Sequence, residues 1–93
     1  MKNHDQNRAP LFEAIARHID EDVTPFHVPG HKRGRGLSEL RDYLGERTLL
    51  VDLNAMADID DLSHPVSVIN DAQQLAAEAF GADKAHFLIN GTT

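Results

Sequence analysis

Cysteine is absent from the 93 residues, so the chain carries neither a disulfide nor a thiolate metal site. Long apolar runs are absent as well. No stretch approaches the roughly 18 apolar residues that a membrane span requires. The polar opening MKNHDQNRAP lacks a signal peptide's apolar core, which makes the cytoplasm the expected location. Basic charge is scarce over most of the chain: residues 37–93 hold three Lys/Arg against ten Asp/Glu, or −7, whereas residues 1–36 hold six against five, or +1. So acidic a remainder excludes a general nucleic-acid binder, because phosphate contacts supply most non-specific affinity. What the chain does have is 41% hydrophobic residues, which suits a globular protein rather than a disordered one.

Helical periodicity is the clearest local signal. APLFEAIARHIDE places Leu11, Phe12, Ile15, Ala16 and Ile19 at helical spacing, with Pro10 suited to the first turn. DVTPFHVPGHKRGRG has two prolines and three glycines in 15 residues, so neither a helix nor a central strand runs through it. Leu37, Leu40 and Leu44 share one face of a short helix that Gly45 ends. In SVINDAQQLAAEAFGA, Val68, Ile69, Ala72, Leu75, Ala76, Ala79 and Phe80 form one continuous stripe, with Ser67 as the expected cap and Gly81 as the stop.

Strands are expected around Leu49 to Leu53 and over Ala85 to Ile89. Two strands alone are marginal, and a strand buried on both faces needs neighbours. The pattern therefore predicts the first piece of a larger α/β domain whose sheet is incomplete within these residues. The closing FLINGTT runs an apolar segment into Asn90-Gly91, a turn dipeptide, followed by Thr92 and Thr93. A strand, a glycine turn and two hydroxyls present donors to an anion, usually with a helix N-terminus behind them. That helix is not in these residues, so the chain is expected to stop inside a ligand-binding turn.

TPFHVPGHKRGRG gathers His27, His31, Lys32, Arg33 and Arg35. A solvated loop is the bland alternative. Phosphate-loop and dinucleotide fingerprints both fail, since Glu39 stands where the latter needs its third glycine. His27 and His31 have a zinc-compatible spacing only on a helix, and Pro29-Gly30 forbids one, so no metal is expected. Asp58, Asp60 and Asp61 do not form an EF-hand, because Leu62 and Ser63 occupy its ligand and glycine positions. That run reads as a solvated connection, with the alternative that one or two carboxylates line a pocket for a cationic substrate.

Taken together, TPFHVPGHKRG, DLNAMADIDDLSHP and INDAQQLAAEAFGADKAHFLINGTT resemble the N-terminal part of the Orn/Lys/Arg decarboxylase family over residues 9–93. These are pyridoxal 5'-phosphate (PLP) enzymes of aminotransferase-like fold. The resemblance implies an α/β chain in which residues 1–36 form an N-terminal helix and a Pro/Gly-rich basic arm. Residues 37–93 then begin the PLP-binding large domain and are truncated at its phosphate-binding turn. It implies removal of the α-carboxylate from lysine, arginine or ornithine, with the cofactor's pyridinium ring taking up the electrons.

By the same resemblance, Gly91, Thr92 and Thr93 contribute donors to the cofactor phosphate, and His31 and Lys32 lie near the active-site mouth. The lysine that forms the Schiff base, the Asp beside the pyridine nitrogen and the ring-stacking group lie downstream in the family, and none is assigned in this chain. The expected partners are a small basic amino acid and further copies of the chain, a dimer or larger, with neither nucleic acid nor membrane. The alternatives are a non-catalytic dimerisation module derived from that fold, or another enzyme of the same fold, an aminotransferase or a carbon–carbon lyase.

Overall fold

The structure is a computed structural model that describes residues 5–22, 24 and 29–92. Among the described residues there are four helices: α1 (Pro10–Glu21), α2 (Ser38–Leu44), α3 (Glu46–Leu50) and α4 (Val68–Phe80). The chain divides into two compact units, one of residues up to Ala14 together with Ala55 onward, the other Ile15–Asn54.

In the first unit, α1 begins where the sequence predicts. Pro10 occupies the first helical position, and the Glu13 carboxylate reaches back to accept from the Ala9 N–H at 2.7 Å. The Arg8 guanidinium clamps the same carboxylate, with Nε 2.9 and 3.0 Å from its two oxygens. The Gln6 amide donates to the Leu75 carbonyl and to Glu78 Oε1, which ties the leading segment to α4. Helix α4 ends in a left-handed Gly81 at φ 66°, with Ala82 N–H on the Ala77 carbonyl and Gly81 N–H on that of Glu78. This is the Schellman arrangement, and glycine adopts its φ without strain. Of the stripe expected on α4, Ile69 is buried while Phe80 is 86% exposed, and the other buried residue of the helix, Ala77, lies outside that stripe.

The second unit holds the end of α1, the basic turn, α2 and α3. Gly45, at φ 90°, closes α2 as expected and opens α3. Leu49 is its buried apolar anchor.

Neither expected strand forms among the described residues, where the one β-type pairing is an isolated antiparallel bridge between Met56 and Asp60. The segment around Leu49 to Leu53 is helical through Leu50 instead. With no neighbouring strand to pair, its backbone bonds locally, Val51 N–H to the Arg47 carbonyl and Asp52 N–H to that of Leu49. Ala85 to Ile89 is irregular, with Leu88 54% and Ile89 69% exposed rather than buried. A strand meant for both faces of a sheet has no sheet here, and the Phe87 N–H is taken by Gln73 Oε1 at 2.8 Å.

Candidate functional site

The basic turn is built from left-handed backbone. Lys32, Arg33 and Gly34 have φ of 50°, 60° and 84°, a run that L side chains rarely adopt. Lys32 N–H bonds the Pro29 carbonyl, Arg35 N–H that of Lys32, and Gly36 N–H that of His31. A Cβ on Gly34 would stand 3.1 Å from Leu49 Cδ1, so the turn packs closely on α3.

His31 lies inside this turn with its side chain 8% exposed. Its Nδ1 accepts from Gly34 N–H at 3.1 Å, and its Nε2 lies 2.9 Å from Asp52 Oδ2. An Nδ1 that accepts carries no proton, so the ring is the neutral tautomer with its hydrogen on Nε2, donating to Asp52. Arg33 is buried as well. Its Nη1 donates to Asp22 Oδ1 at 3.0 Å and its Nη2 to the Ile19 carbonyl at 3.1 Å, capping the C-terminus of α1 where the helix dipole favours a cation. Arg35 reaches the same Asp22 oxygen at 3.4 Å. Two of the cations in the motif therefore hold the turn to α1. His27 lies outside the described residues.

At the other end of the chain, Gly91 has φ 86° with open space around it, and Thr92 is exposed. The turn conformation is the one that Asn-Gly favours, and a phosphate oxygen can be met there by hydroxyl and backbone donors. Thr93 lies outside the described residues. A groove of about 750 Å³ runs in this unit between α4 and residues 81–86, lined by Asn70, Gln73, Ala77 and Glu78 among others.

Asp60 was not legible as what it is. It is 5% exposed and accepts from the backbone N–H groups of Asp61, Val66, Ser67, Ile69 and Asn70 at 2.8 to 3.4 Å. Ser67, the expected cap, makes no side-chain bond to the helix start. Burial by itself would push the Asp60 carboxyl up, but the N–H groups of Val66, Ser67, Asp61 and Ile69 outweigh it and hold the group well below the usual carboxylate range. This ionised carboxylate is not the solvated charge that the run suggested: it is buried and accepts backbone N–H groups. Asp61 turns its Oδ1 to Ser63 N–H.

Comparison with known proteins agrees with the motifs. Residues 9–93 match the model of the Orn/Lys/Arg decarboxylase major domain. An arginine decarboxylase of Bacillus anthracis is 46% identical over 89 residues, covering 95% of this chain and 18% of that protein. An arginine decarboxylase of Bacillus subtilis (strain 168) is 43% identical over 89 residues with the same two shares. The inducible ornithine decarboxylase of Escherichia coli (strain K12) is 34% identical over 95 residues, 95% of this chain and 13% of that protein. No solved structure matches. The chain belongs to the Orn/Lys/Arg decarboxylase family, and it spans less than a fifth of the length of these relatives.

Proposed function

We propose that these residues work within a longer PLP-dependent decarboxylase that removes the α-carboxylate of a basic amino acid, arginine before ornithine or lysine. The observation that carries this reading is the 43 to 46% identity to arginine decarboxylases over 89 residues, against 34% for the inducible ornithine enzyme over 95. In this reading Gly91 turns the chain so that Thr92, and Thr93 after it, give hydroxyl and N–H donors to the cofactor phosphate. The exposed Thr92 and the positive φ of Gly91 fit an anion held by hydroxyl and backbone donors. When bound, the cofactor supplies an electron sink for the bond that releases CO2.

The chain's own residues bind and orient. His31 and Lys32 sit near the active-site mouth, where a lysine ammonium favours a carboxylate or phosphate. Residues 37–93 begin the cofactor-binding large domain of α/β, aminotransferase-like fold, and residues 1–36 form the arm that leads to it. The enzyme acts in the cytoplasm as a dimer or larger homo-oligomer. None of the helices among the described residues is long and apolar enough to cross a membrane.

The test is direct. Full-length protein supplied with PLP is assayed for CO2 release from arginine, ornithine and lysine. Arginine is expected to give the highest kcat/KM. Release from none of the three overturns the reading, and a preference for ornithine or lysine overturns the choice of substrate alone.

A further inference from the structure

We propose that His31 is a positioning residue: held as the neutral Nε2–H tautomer between Gly34 N–H and the Asp52 carboxylate, it fixes the left-handed turn that sets Lys32 toward an anionic group at the active-site mouth. The proposal rests on the decarboxylase reading above and deepens it by giving a role to Asp52, the first residue of DLNAMADIDDLSHP, which the sequence alone did not connect to His31.

The argument begins with conformation. Lys32 and Arg33 occupy positive φ without being glycine, so the turn persists only where its surroundings hold it. Three backbone bonds close the loop, but they join residues of the turn to one another. The imidazole does something different. Through Nδ1 it holds Gly34, the third left-handed residue, and through Nε2 it fastens the turn to Asp52, 21 residues further along. The ring is buried while the Asp52 side chain is 61% exposed, so the dyad runs from the interior of the turn to the surface beside it. Lys32 is next in sequence to His31, and the ring's bond to Gly34 N–H spans it, so the imidazole braces the stretch of backbone that carries Lys32.

The neutral tautomer makes the proposal specific. A protonated ring has a hydrogen on both nitrogens and cannot accept from Gly34 N–H. As a neutral donor, Nε2–H needs an acceptor at position 52, not a charge. Asp52→Asn retains an acceptor and Asp52→Ala removes it. Were the pair an ion pair instead, the asparagine variant would behave like the alanine one.

The experiment uses full-length enzyme with PLP. Imidazole 15N shifts at neutral pH are expected to give an unprotonated Nδ1 and a protonated Nε2 for His31, and a charged ring or the opposite tautomer overturns the proposal. In kinetics, Asp52→Ala is expected to shift KM or cofactor Kd by roughly tenfold, the scale of one lost hydrogen bond to a charged group, with Asp52→Asn close to wild type. A change in KM for the amino acid identifies substrate carboxylate as the anion that Lys32 serves, and a change in cofactor Kd identifies phosphate.

The Lys32→Ala background decides the mechanism, because a residue that acts through Lys32 has no further effect once Lys32 is gone. Additive losses, or an unaltered KM and cofactor Kd in Lys32→Ala itself, overturn the positioning role. If the wild-type protein decarboxylates no basic amino acid, the functional reading and the role of Lys32 fall together, while the nitrogen shifts still decide the dyad.

Discussion

Asp60 Oδ2 accepts the N–H of Ile69 at 3.1 Å, so a carboxylate nine residues away caps a helix whose own N-cap residue, Ser67, makes no such bond. The first four N–H groups of a helix have no intrahelical partner, and those of Ile69 and Asn70 find one in Asp60. Because the charge also lies at the positive end of α4, it gains from the helix dipole. Asp60→Ala leaves those donors buried without it and is expected to cost about 1 to 3 kcal/mol. Faster hydrogen exchange at the start of α4 in the full-length protein checks this, and unchanged protection would refute it.

The same carboxylate gives a pH dependence with a definite sign. The folded-state value is depressed below the ordinary one of about 3.9. The unfolded chain therefore binds this proton first as pH falls. The contribution of Asp60 is complete above the ordinary value and is lost progressively as pH drops from there toward the depressed folded value. Wild type should lose more α4 protection on acidification below about pH 4 than Asp60→Asn does. Parallel acid profiles for the two would refute this.

Gly34 offers a separate test of the basic turn. Its φ of 84° is costly for any residue with a Cβ, and that Cβ would press on Leu49 Cδ1 at 3.1 Å. Gly34→Ala is expected to lower stability by about 1 to 2 kcal/mol from the backbone alone. Adding Leu49→Ala relieves the contact but not the φ, so the double variant should melt no higher than Gly34→Ala. Recovery of the melting temperature would make the contact, not the backbone, the cause.

What was legible in the sequence was local. Val68–Phe80 and its stop at Gly81 follow from periodicity and from glycine's freedom at positive φ, both of which act within a few residues. Pro10 marked the start of α1 for the same reason. Asp60 could not be read as a cap, because capping patterns look three or four residues ahead and this carboxylate lies nine before Ile69. Nor could Asp52 be linked to His31 across 21 residues. The strand expectations at Leu49 to Leu53 and Ala85 to Ile89 depended on partners that the composition of those segments cannot supply. Between Asp58 and Asp61 the charge pattern was plain, but which carboxylate the backbone would enclose was not.

The proposed cofactor role of Gly91, Thr92 and Thr93 can be tested in the full-length protein. Val has nearly the shape of Thr without its hydroxyl, so replacing Thr92 and Thr93 with Val removes donors while keeping bulk. Cofactor affinity should fall by about 1 to 3 kcal/mol for each charge-assisted hydrogen bond lost. Retention of PLP through dialysis, followed by its absorbance, measures this. Unchanged retention would remove both threonines from the phosphate site.

The last prediction concerns the 93 residues expressed alone. Phe80, Val66, Leu88 and Ile89 are 86%, 69%, 54% and 69% exposed, all in the unit that carries α4. Apolar surface on this scale is unusual for a small monomer and favours association. The groove of about 750 Å³ beside α4 adds a face without enough side chains to fill it. Ala85–Ile89 is irregular despite its strand-like composition, and such a segment can pair with another copy. The isolated chain is therefore expected to self-associate or to be partly unfolded, with a broad, concentration-dependent melt. It should release no CO2 from arginine, ornithine or lysine with PLP above the rate of free cofactor, because covalent catalysis needs the attachment lysine, and none is assigned among these residues. A sharp, concentration-independent melt with dispersed amide resonances would mean that α4 and the closing segment bury their faces unaided, and would favour a self-sufficient interaction module.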